Sequence, residues 1–303
     1  MPSVLSEIRD EIIEVIGRPA LNTIVKGAII NDLKLWGATR PHNFKKGMIF
    51  ATLLKDIQGL GYLKLRKKFV EYSDLSNEAM QHNVKLVWRA LGKWAQTVVT
   101  ADDIRRLGQA ASKTQRPPPL SSVVLWIDST DFRVKGKRSV HRDKSQWSHK
   151  LRSPGRRWLT VSNAKGMVQW VAGPYLPTQY DGDLAVLNAT LLDKLFGKCE
   201  MIGDNHFRKA TGFFEKIKLH TNVSKAGRPK KVDGQKVPAV LSKEEEELNE
   251  KISLVRGKVE APYGWVKQHF TALSKPFYEN QKQHHYLVLY SFAIHRIVIS
   301  KQK

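Results

Sequence analysis

The feature that most limits the fold of this chain is a run of three prolines, Pro117-Pro118-Pro119. Consecutive prolines cannot continue a helix and hold the backbone as stiff polyproline II, so the run marks a boundary. Before it, apolar residues recur with a helical period, beginning with Leu5–Ile16. After it, short apolar runs between turn residues are typical of strands. We therefore predict a helical region over residues 1–116 and a second domain over residues 117–303.

The second domain is predicted to combine strands with helices. Its predicted strands are Ser122–Asp128, Arg157–Asn163, Met167–Gly173 and Cys199–Asp204. Its predicted helices cover residues 183–196, 206–214, 243–272 and 281–300. The first strands follow one another and the later elements alternate, which is the pattern of a mixed sheet flanked by helices. The predicted fold class is therefore α/β.

In the helical region, two predicted helices are separated by a short turn. They cover Tyr62–Tyr72 and Asn77–Gln96, and Ser76 can cap the second one. This spacing suits a helix-turn-helix, whose second helix enters the major groove of DNA. The basic residues on one face of that helix are Lys85, Arg89 and Lys93. The alternative is a basic, solvated face on a helix that packs in the core, and the sequence does not choose between the two.

Charge is the strongest indication of a partner. The 303 residues include 51 Lys and Arg against 28 Asp and Glu, a formal net charge of +23. Such an excess favours a polyanion, with nucleic acid ahead of an anionic membrane surface. Because no apolar run reaches the roughly 18 residues of a membrane span, we expect no membrane partner. Cys199 is the only cysteine, which excludes an internal disulfide and favours a reducing compartment.

Two basic segments of the second domain are candidates for contact with DNA. The predicted loop Arg133–Arg157 carries ten Lys or Arg residues, one Asp and Trp147, a mixture that suits contact with phosphates and stacking on bases. An insertion over about residues 219–242 carries Arg228 between a glycine and a proline, a pattern that fits a narrow minor groove. A solubilising loop and a plain basic linker are the alternatives.

Three carboxylates are candidates for the chemistry. Asp128 and Asp204 end predicted strands, a common place for active-site residues. Glu260 lies on a predicted helix, where Arg256 and Lys267 share its face. Three convergent carboxylates can hold two Mg²⁺ ions, which activate the attacking oxygen and stabilise the leaving oxygen of a phosphodiester displacement. For Glu260 the alternative is an exposed, solvated charge.

Other acidic residues lie close to these candidates in sequence. Asp131 follows Asp128 by three residues, and Asp181 and Asp183 fall near a predicted helix start, where capping explains them without chemistry. We prefer Asp128 because it ends the apolar run, and we treat Asp183 as a supporting residue at most.

Five blocks of the sequence resemble Harbinger-type DDE transposases, the PIF/Harbinger, insertion-sequence-5-like group. In chain order they are Asp128-Ser129-Thr130, Gly173-Pro174-Tyr175, Asp183–Leu187, Gly203-Asp204 and Val259–Lys267. The last block is the most specific. It is similar to the family pattern V-E-x-x-[FY]-G-x-[LVW]-K, in which x is any residue. The chain has Ser129 where the family often has Gly, and the insertion lengthens the distance from Asp204 to Glu260. Neither departure removes a carboxylate.

The resemblance implies an RNase H-like catalytic domain that cleaves and joins DNA strands, with Asp128, Asp204 and Glu260 holding two Mg²⁺ (or Mn²⁺) ions. The basic residues expected to hold phosphates beside these ions are Arg256, Lys258 and Lys267.

Several partners follow from the same resemblance. They are double-stranded DNA with terminal inverted repeats and a target site, a separate Myb-like DNA-binding protein, and a second copy of the chain to pair two DNA ends. The expected location is the nucleus, or the cytoplasm in a prokaryote. Two alternatives stay open: a domesticated, transposase-derived DNA-binding protein that no longer cuts, and a structure-selective nuclease of the same fold.

Overall fold

The computed structural model describes residues 4–31, 42–69, 75–98, 119–135, 144–223, 230–232, 235–237, 241–256, 259–278 and 280–301. The helices of the N-terminal part are α1 Val4–Ile16, α2 Arg18–Asn31, α3 His42–Gln58, α4 Tyr62–Lys68 and α5 Asn77–Val98. The later helices are α6 Asp181–Leu187, α7 Ala189–Phe196, α8 Lys243–Arg256, α9 Ala261–His269, α10 Thr271–Ser274 and α11 Gln281–Lys301. The strands are β1 Val123–Arg133, β2 Trp147–Ser148, β3 Ser153–Asn163, β4 Val168–Tyr175, β5 Glu200–Gly203, β6 Lys218–Thr221, β7 Lys230–Val232 and β8 Gln235–Val237.

A mixed sheet forms the centre of the second part. Strand β1 pairs antiparallel with β3 on one side and parallel with β5 on the other, and β5 pairs parallel with β6. The far edge of β3 carries β2 and β4, both antiparallel. Helices flank this sheet, so the predicted mixed α/β fold is confirmed, and the architecture is consistent with an RNase H-like DDE domain.

Strand β1 alternates its side chains between two layers of helices. On one side, Ile127 joins an apolar cluster with Leu184 of α6. On the other side, Trp126 Nε1 donates a hydrogen bond to the carbonyl of Val255 in α8 at 2.9 Å. Because residues two apart on a strand share a face, Asp128 lies on the same side of the sheet as Trp126.

Helix α5 is central to the packing of the N-terminal helices. Its buried apolar side chains are Met80, Val84, Val87, Trp88, Ala90, Leu91, Trp94 and Ala95. It packs against α2, α3 and the C-terminal helix α11. The Asp56 carboxylate of α3 accepts hydrogen bonds from Trp88 Nε1 at 2.7 Å and from the Tyr290 hydroxyl of α11. The same apolar cluster continues from these helices to Phe132 of β1.

The predicted boundary between residues 116 and 117 stays a prediction, since residues 99–118 lie outside the described part of the chain. The same holds for the helix-turn-helix, whose turn includes residues 70–74. Within that motif, α4 ends at Lys68, earlier than predicted, while the predicted cap is confirmed: Ser76 Oγ accepts a hydrogen bond from the backbone N–H of Ala79 at 3.1 Å. None of the described helices is long and apolar enough to cross a membrane.

The predicted single helix over residues 243–272 is wrong. Helix α8 ends at Arg256, Val259 and Glu260 form a turn, and α9 begins at Ala261. Pro262 explains this start, because proline lacks an N–H donor and is tolerated in the first turn of a helix but not inside one. Arg256 and Lys267 therefore lie on different helices.

Three smaller predictions also need correction. Residues 183–196 form parts of two helices, separated at Asn188, whose Nδ2 donates a hydrogen bond to the Leu184 carbonyl at 2.7 Å. The helix predicted over residues 206–214 is a 3-10 helix over residues 205–212. Strand β1 does not end at Asp128 but continues to Arg133, because its second half stays paired with β3.

Candidate active site

Asp128 lies within β1 and Asp204 directly follows the neighbouring parallel strand β5, so both lie where the pairing of these two strands ends. The register pairs Trp126 of β1 with Ile202 of β5, so the residues two positions further along each strand come side by side. Asp128 is buried, with 7% of its surface exposed. Asp204 follows the end of β5 and caps the 3-10 helix, since its Oδ1 accepts a hydrogen bond from the His206 backbone N–H at 2.8 Å.

The environment of Asp128 disfavours its negative charge. Burial raises the pKa of Asp128 from 3.8 to about 6, and the negative charge of Asp204 adds to the rise. The Ser129 backbone N–H, 2.8 Å from Oδ1, and the positive charges of Lys150 and Arg256 oppose it. Two carboxylates that repel each other in this way suit a divalent cation, whose charge removes the repulsion.

Glu260 approaches the same face of the sheet without joining this pair. It is exposed at the start of α9, where its carbonyl accepts hydrogen bonds from the N–H groups of Tyr263 and Gly264. One turn later, the Tyr263 hydroxyl lies 2.6 Å from Oγ1 of Thr160, the residue opposite Asp128 in the β1–β3 register. Burial raises the pKa of Tyr263 well above 10, and the charges of Asp128 and Glu260 contribute to the rise.

The residues fit a metal site in part. Asp128 and Asp204 supply adjacent carboxylate oxygens, the donors that Mg²⁺ prefers. Within the described ranges, however, no group of three or more His, Cys, Asp or Glu side chains is arranged to hold a metal ion. Glu260, the third predicted ligand, is exposed at the start of α9 and does not form such a group with the two aspartates.

Comparison with protein families agrees with this geometry. Residues 127–296, more than half of the chain, match the family described as DDE superfamily endonuclease. The chain belongs to this family. The matched segment contains Asp128, Asp204 and Glu260 and begins after the N-terminal helices. No curated protein and no solved structure gives a significant match.

In this DDE endonuclease, two of the predicted phosphate-binding residues border the carboxylates. Arg256, at the end of α8, places a guanidinium nitrogen 3.9 Å from Asp204 Oδ2. Lys267 Nζ donates a hydrogen bond to Thr130 Oγ1 at 2.9 Å, two residues beyond Asp128 on β1. Burial lowers the pKa of Lys267, while the charges of Asp131 and Glu260 oppose that shift.

Three of the other predicted DNA-binding residues belong to the N-terminal helices. Lys85, Arg89 and Lys93 lie on α5, with Lys85 and Lys93 half-buried and Arg89 exposed. Lys258 and Arg228 lie outside the described residues. Asp183, the predicted supporting residue, is exposed and forms an ion pair with Lys209 at 2.5 Å.

Sequence reasoning missed a buried ionic cluster on the opposite face of β1. Arg157 of β3 contacts Asp131 of β1 at 2.8 Å and Asp181 of α6 at 2.9 Å. Asp181 also accepts a hydrogen bond from Ser129 Oγ at 2.7 Å, and Asp131 accepts one from Ser148 Oγ at 2.6 Å. The interpretation of Asp181 as a capping residue is therefore wrong. The alternation of Ser129 and Asp131 on β1 was the available signal, since it puts both side chains on one face.

Lys150 is a second residue that the sequence did not single out. It lies in the turn after β2, is exposed, and its charge acts on both Asp128 and Lys267. This position belongs to the basic segment Arg133–Arg157, of which residues 136–143 lie outside the described part. A cation here is suited to hold a phosphate close to the carboxylates.

Proposed function

We propose that this DDE endonuclease is a Harbinger-type transposase that cleaves and joins DNA strands. The observation that carries the proposal is the juxtaposition of Asp128 in β1 with Asp204 after β5, in a chain of this family with a net charge of +23. The substrate is double-stranded DNA that carries terminal inverted repeats, together with a target site. The proposal includes nuclear location, a Myb-like partner, and at least a dimer on the paired DNA ends.

In this proposal Asp128 and Asp204 hold Mg²⁺ or Mn²⁺, and Glu260 completes the site by turning inward from the start of α9. When bound, two such ions activate the attacking oxygen and stabilise the leaving oxygen of an in-line displacement. The Tyr263 hydroxyl and Thr160 Oγ1, 2.6 Å apart, hold α9 against the strand residue opposite Asp128.

Basic residues supply the remaining electrostatics. Arg256, Lys150 and Lys267 lie around the carboxylates, and Lys258 is expected beside them. They bind the phosphates that flank the scissile bond and reduce the repulsion between the DNA and the acidic site. Outside the active site, a helix-turn-helix is proposed to contact the DNA through Lys85, Arg89 and Lys93 on α5. Arg228 is proposed to enter a minor groove.

The exposed position of Glu260 favours a second candidate, a domesticated DNA-binding protein that keeps the fold but does not cut. Both candidates predict DNA binding whose affinity falls steeply with salt, since binding releases counterions from the DNA. Only the transposase predicts cleavage.

A cleavage assay separates them. Plasmid DNA that carries the sequences flanking the coding region is incubated with Mg²⁺, Mn²⁺ or EDTA. We expect nicking and joining only with metal, and a loss of at least about 1,000-fold in Asp204→Asn and Glu260→Gln, because each removes a proposed ligand. Asp183→Asn is the matched control and should cleave as wild type does. Full activity of the two ligand variants would disprove the assigned site, and salt-sensitive binding without any cleavage would favour the domesticated protein.

A further inference from the structure

A cavity of about 290 Å³ lies between the N-terminal helices and the segment that follows α10. One wall is the end of α3 and the connection to α4, including Lys55, Gly61 and Tyr62. The other wall is the short segment Lys275–Tyr278. The volume is close to the lower limit of about 300 Å³ for small-molecule sites, so the cavity suits a ligand of one or two rings.

The walls combine aromatic rings with lysines. Lys55 Nζ lies 5.1 Å from the centre of the Tyr62 ring, and Lys135 Nζ lies 4.8 Å from the centre of the Tyr278 ring. Tyr278 is 70% exposed, whereas Phe277 beside it is buried. Lys275, an exposed residue, adds a further cation to the lining.

This lining selects a ligand by its chemistry. Aromatic faces bind flat π systems by stacking, and lysines around them attract negative charge. The described residues that line the cavity include lysines and no carboxylate, so the lining favours an anion over a cation. A planar base joined to a phosphate satisfies both features.

We propose that the cavity receives one unpaired nucleotide of bound DNA, with its base between Tyr62 and Tyr278 and its phosphates near Lys275 and Lys135. The inference rests on the proposed DNA substrate. It adds a site for a base that has left the double helix, separate from the carboxylates that act on the phosphodiester.

The position of the cavity relative to Asp128 is fixed by β1. The Lys135 backbone N–H donates to the Phe277 carbonyl at 2.8 Å, which joins the cavity wall to the end of that strand. Six residues separate Asp128 from Val134, the bridge partner of Phe277, and at 3.3 Å per residue the separation is about 20 Å. At 3.4 Å per base pair, this corresponds to about six base pairs of DNA. One bound duplex can therefore reach both places.

The test compares three otherwise identical 20-base-pair duplexes. One is fully paired, one carries a single extrahelical 2-aminopurine nucleotide, and one carries an extrahelical abasic nucleotide in the same place. The abasic duplex has the same extra phosphate but no base. We expect wild-type protein to bind the 2-aminopurine duplex about 5- to 150-fold more tightly than the abasic one, the range that base stacking gives, and to quench its fluorescence.

Two kinds of variant assign the effect to the cavity. Tyr278→Ala and Tyr62→Ala remove the stacking rings. Gly61→Leu adds bulk at the cavity wall, where a Cβ meets no atom within 4 Å and the φ of −73° is ordinary for leucine. All three should lose the preference for the base while keeping wild-type affinity for the paired duplex. Phe213→Ala, a change at an exposed aromatic residue away from the cavity, should keep it.

The outcomes separate this inference from the proposed function. Equal affinity of wild type for the 2-aminopurine and abasic duplexes overturns the nucleotide site alone, as does a preference that survives in Gly61→Leu and both tyrosine variants. Failure of wild type to bind any of the three duplexes overturns the nucleotide site and the proposed function together.

Discussion

Asp128 is held where its charge is unfavourable, which is expected of a residue kept for chemistry. Its pKa of about 6, against the ordinary 3.8, means that the carboxylate is less stable in the folded chain than in water, and burial is the largest cause. Active sites commonly combine such a cost with function, because a neutral residue in the same place would stabilise the fold but would attract a cation less strongly.

Asp128→Asn should therefore stabilise the protein while it abolishes cleavage. A shift of about two pKa units corresponds to about 3 kcal/mol at pH 7, and we expect a gain in the free energy of unfolding of about 1–3 kcal/mol. Urea unfolding in metal-free buffer measures it, with Asp183→Asn as the control at an exposed carboxylate. Destabilisation by Asp128→Asn would show that its charge is instead favourable in the fold.

His284 gives the fold a sensitivity to acid. Its ring is buried among aromatic side chains, with ring centres 4.8 Å from Trp158 and 4.8 Å from Phe277. Burial lowers the pKa of His284 from 6.5 to about 3, and the positive charge of Arg156 and the neighbouring His285 contribute. The unfolded chain takes up a proton below pH 6.5, whereas the folded chain does not until about pH 3. Stability from this residue is complete above pH 6.5 and is lost as the pH falls toward 3.

We predict that His284→Phe makes unfolding less sensitive to acid. Between pH 7 and pH 5 the wild-type protein should lose about 2 kcal/mol more than the variant, because His284 accounts for about 1.5 pKa units over that range. Urea unfolding at the two pH values measures the difference, and His82→Phe, at an exposed position on α5, is the control. Equal losses in wild type and His284→Phe would contradict the prediction.

At the scale of elements, Arg157 ties three of them together. Its side chain on β3 bonds to Asp131 on β1 and to Asp181 on α6, with 10% of the guanidinium-bearing side chain exposed. The hydrogen bond from Arg157 to the Gln179 carbonyl, at 2.7 Å, holds the connection that leads into α6. The cluster therefore fixes the strand that carries Asp128 against the helix that follows β4.

Arg157→Met should destabilise the fold by about 3–5 kcal/mol, because it leaves two buried carboxylates without their cation. The neighbouring Arg156 is half-buried and donates a hydrogen bond to Gln146. Arg156→Met should therefore lower the free energy of unfolding by less than about 1.5 kcal/mol. Thermal or urea unfolding measures both. A similar loss in the two variants would mean that the cluster contributes no more than an ordinary surface contact.

Elements differed in how well the sequence predicted them. Strands β3 and β5 were recognisable because each is an apolar run bounded by turn residues. The break between α8 and α9 was missed although Pro262 signals it, since the apolar and basic periodicity continues across the break. For the Arg157 cluster, the alternation on β1 puts Ser129 and Asp131 on one face, but spacing does not identify their partners. Asp131, Arg157 and Asp181 come from segments about 25 residues apart and meet only in the folded chain.

At the scale of the whole molecule, the candidate residues could be chosen from the sequence, whereas the packing around them could not. Asp128 and Asp204 were proposed from apolar runs and family blocks, which are local features of the sequence, although β1 continues past Asp128 to Arg133. The N-terminal helices and α11 share one apolar cluster, and this packing involves residues far apart in the chain, such as Asp56 and Tyr290. Periodicity shows that both helices have apolar faces but not which faces meet.

This shared cluster predicts that the N-terminal helices and the sheet unfold together. The Asp56 carboxylate is fully buried, accepts hydrogen bonds from Trp88 and Tyr290, and lies 3.7 Å from Lys55 Nζ. Asp56→Ala leaves these donors without their acceptor and should cost about 3–5 kcal/mol. If the cluster is one cooperative unit, hydrogen-exchange protection should fall by the same amount in α5 and in β3.

The matched control is Asp10→Ala, which removes the exposed ion-pair partner of Arg9 on α1. It should change the hydrogen-exchange protection of α5 and of β3 by less than about 0.5 kcal/mol each. Loss of protection in α5 with β3 unchanged would show instead that the helices open as a separate unit. In that case the boundary predicted at the three prolines would also divide the protein energetically.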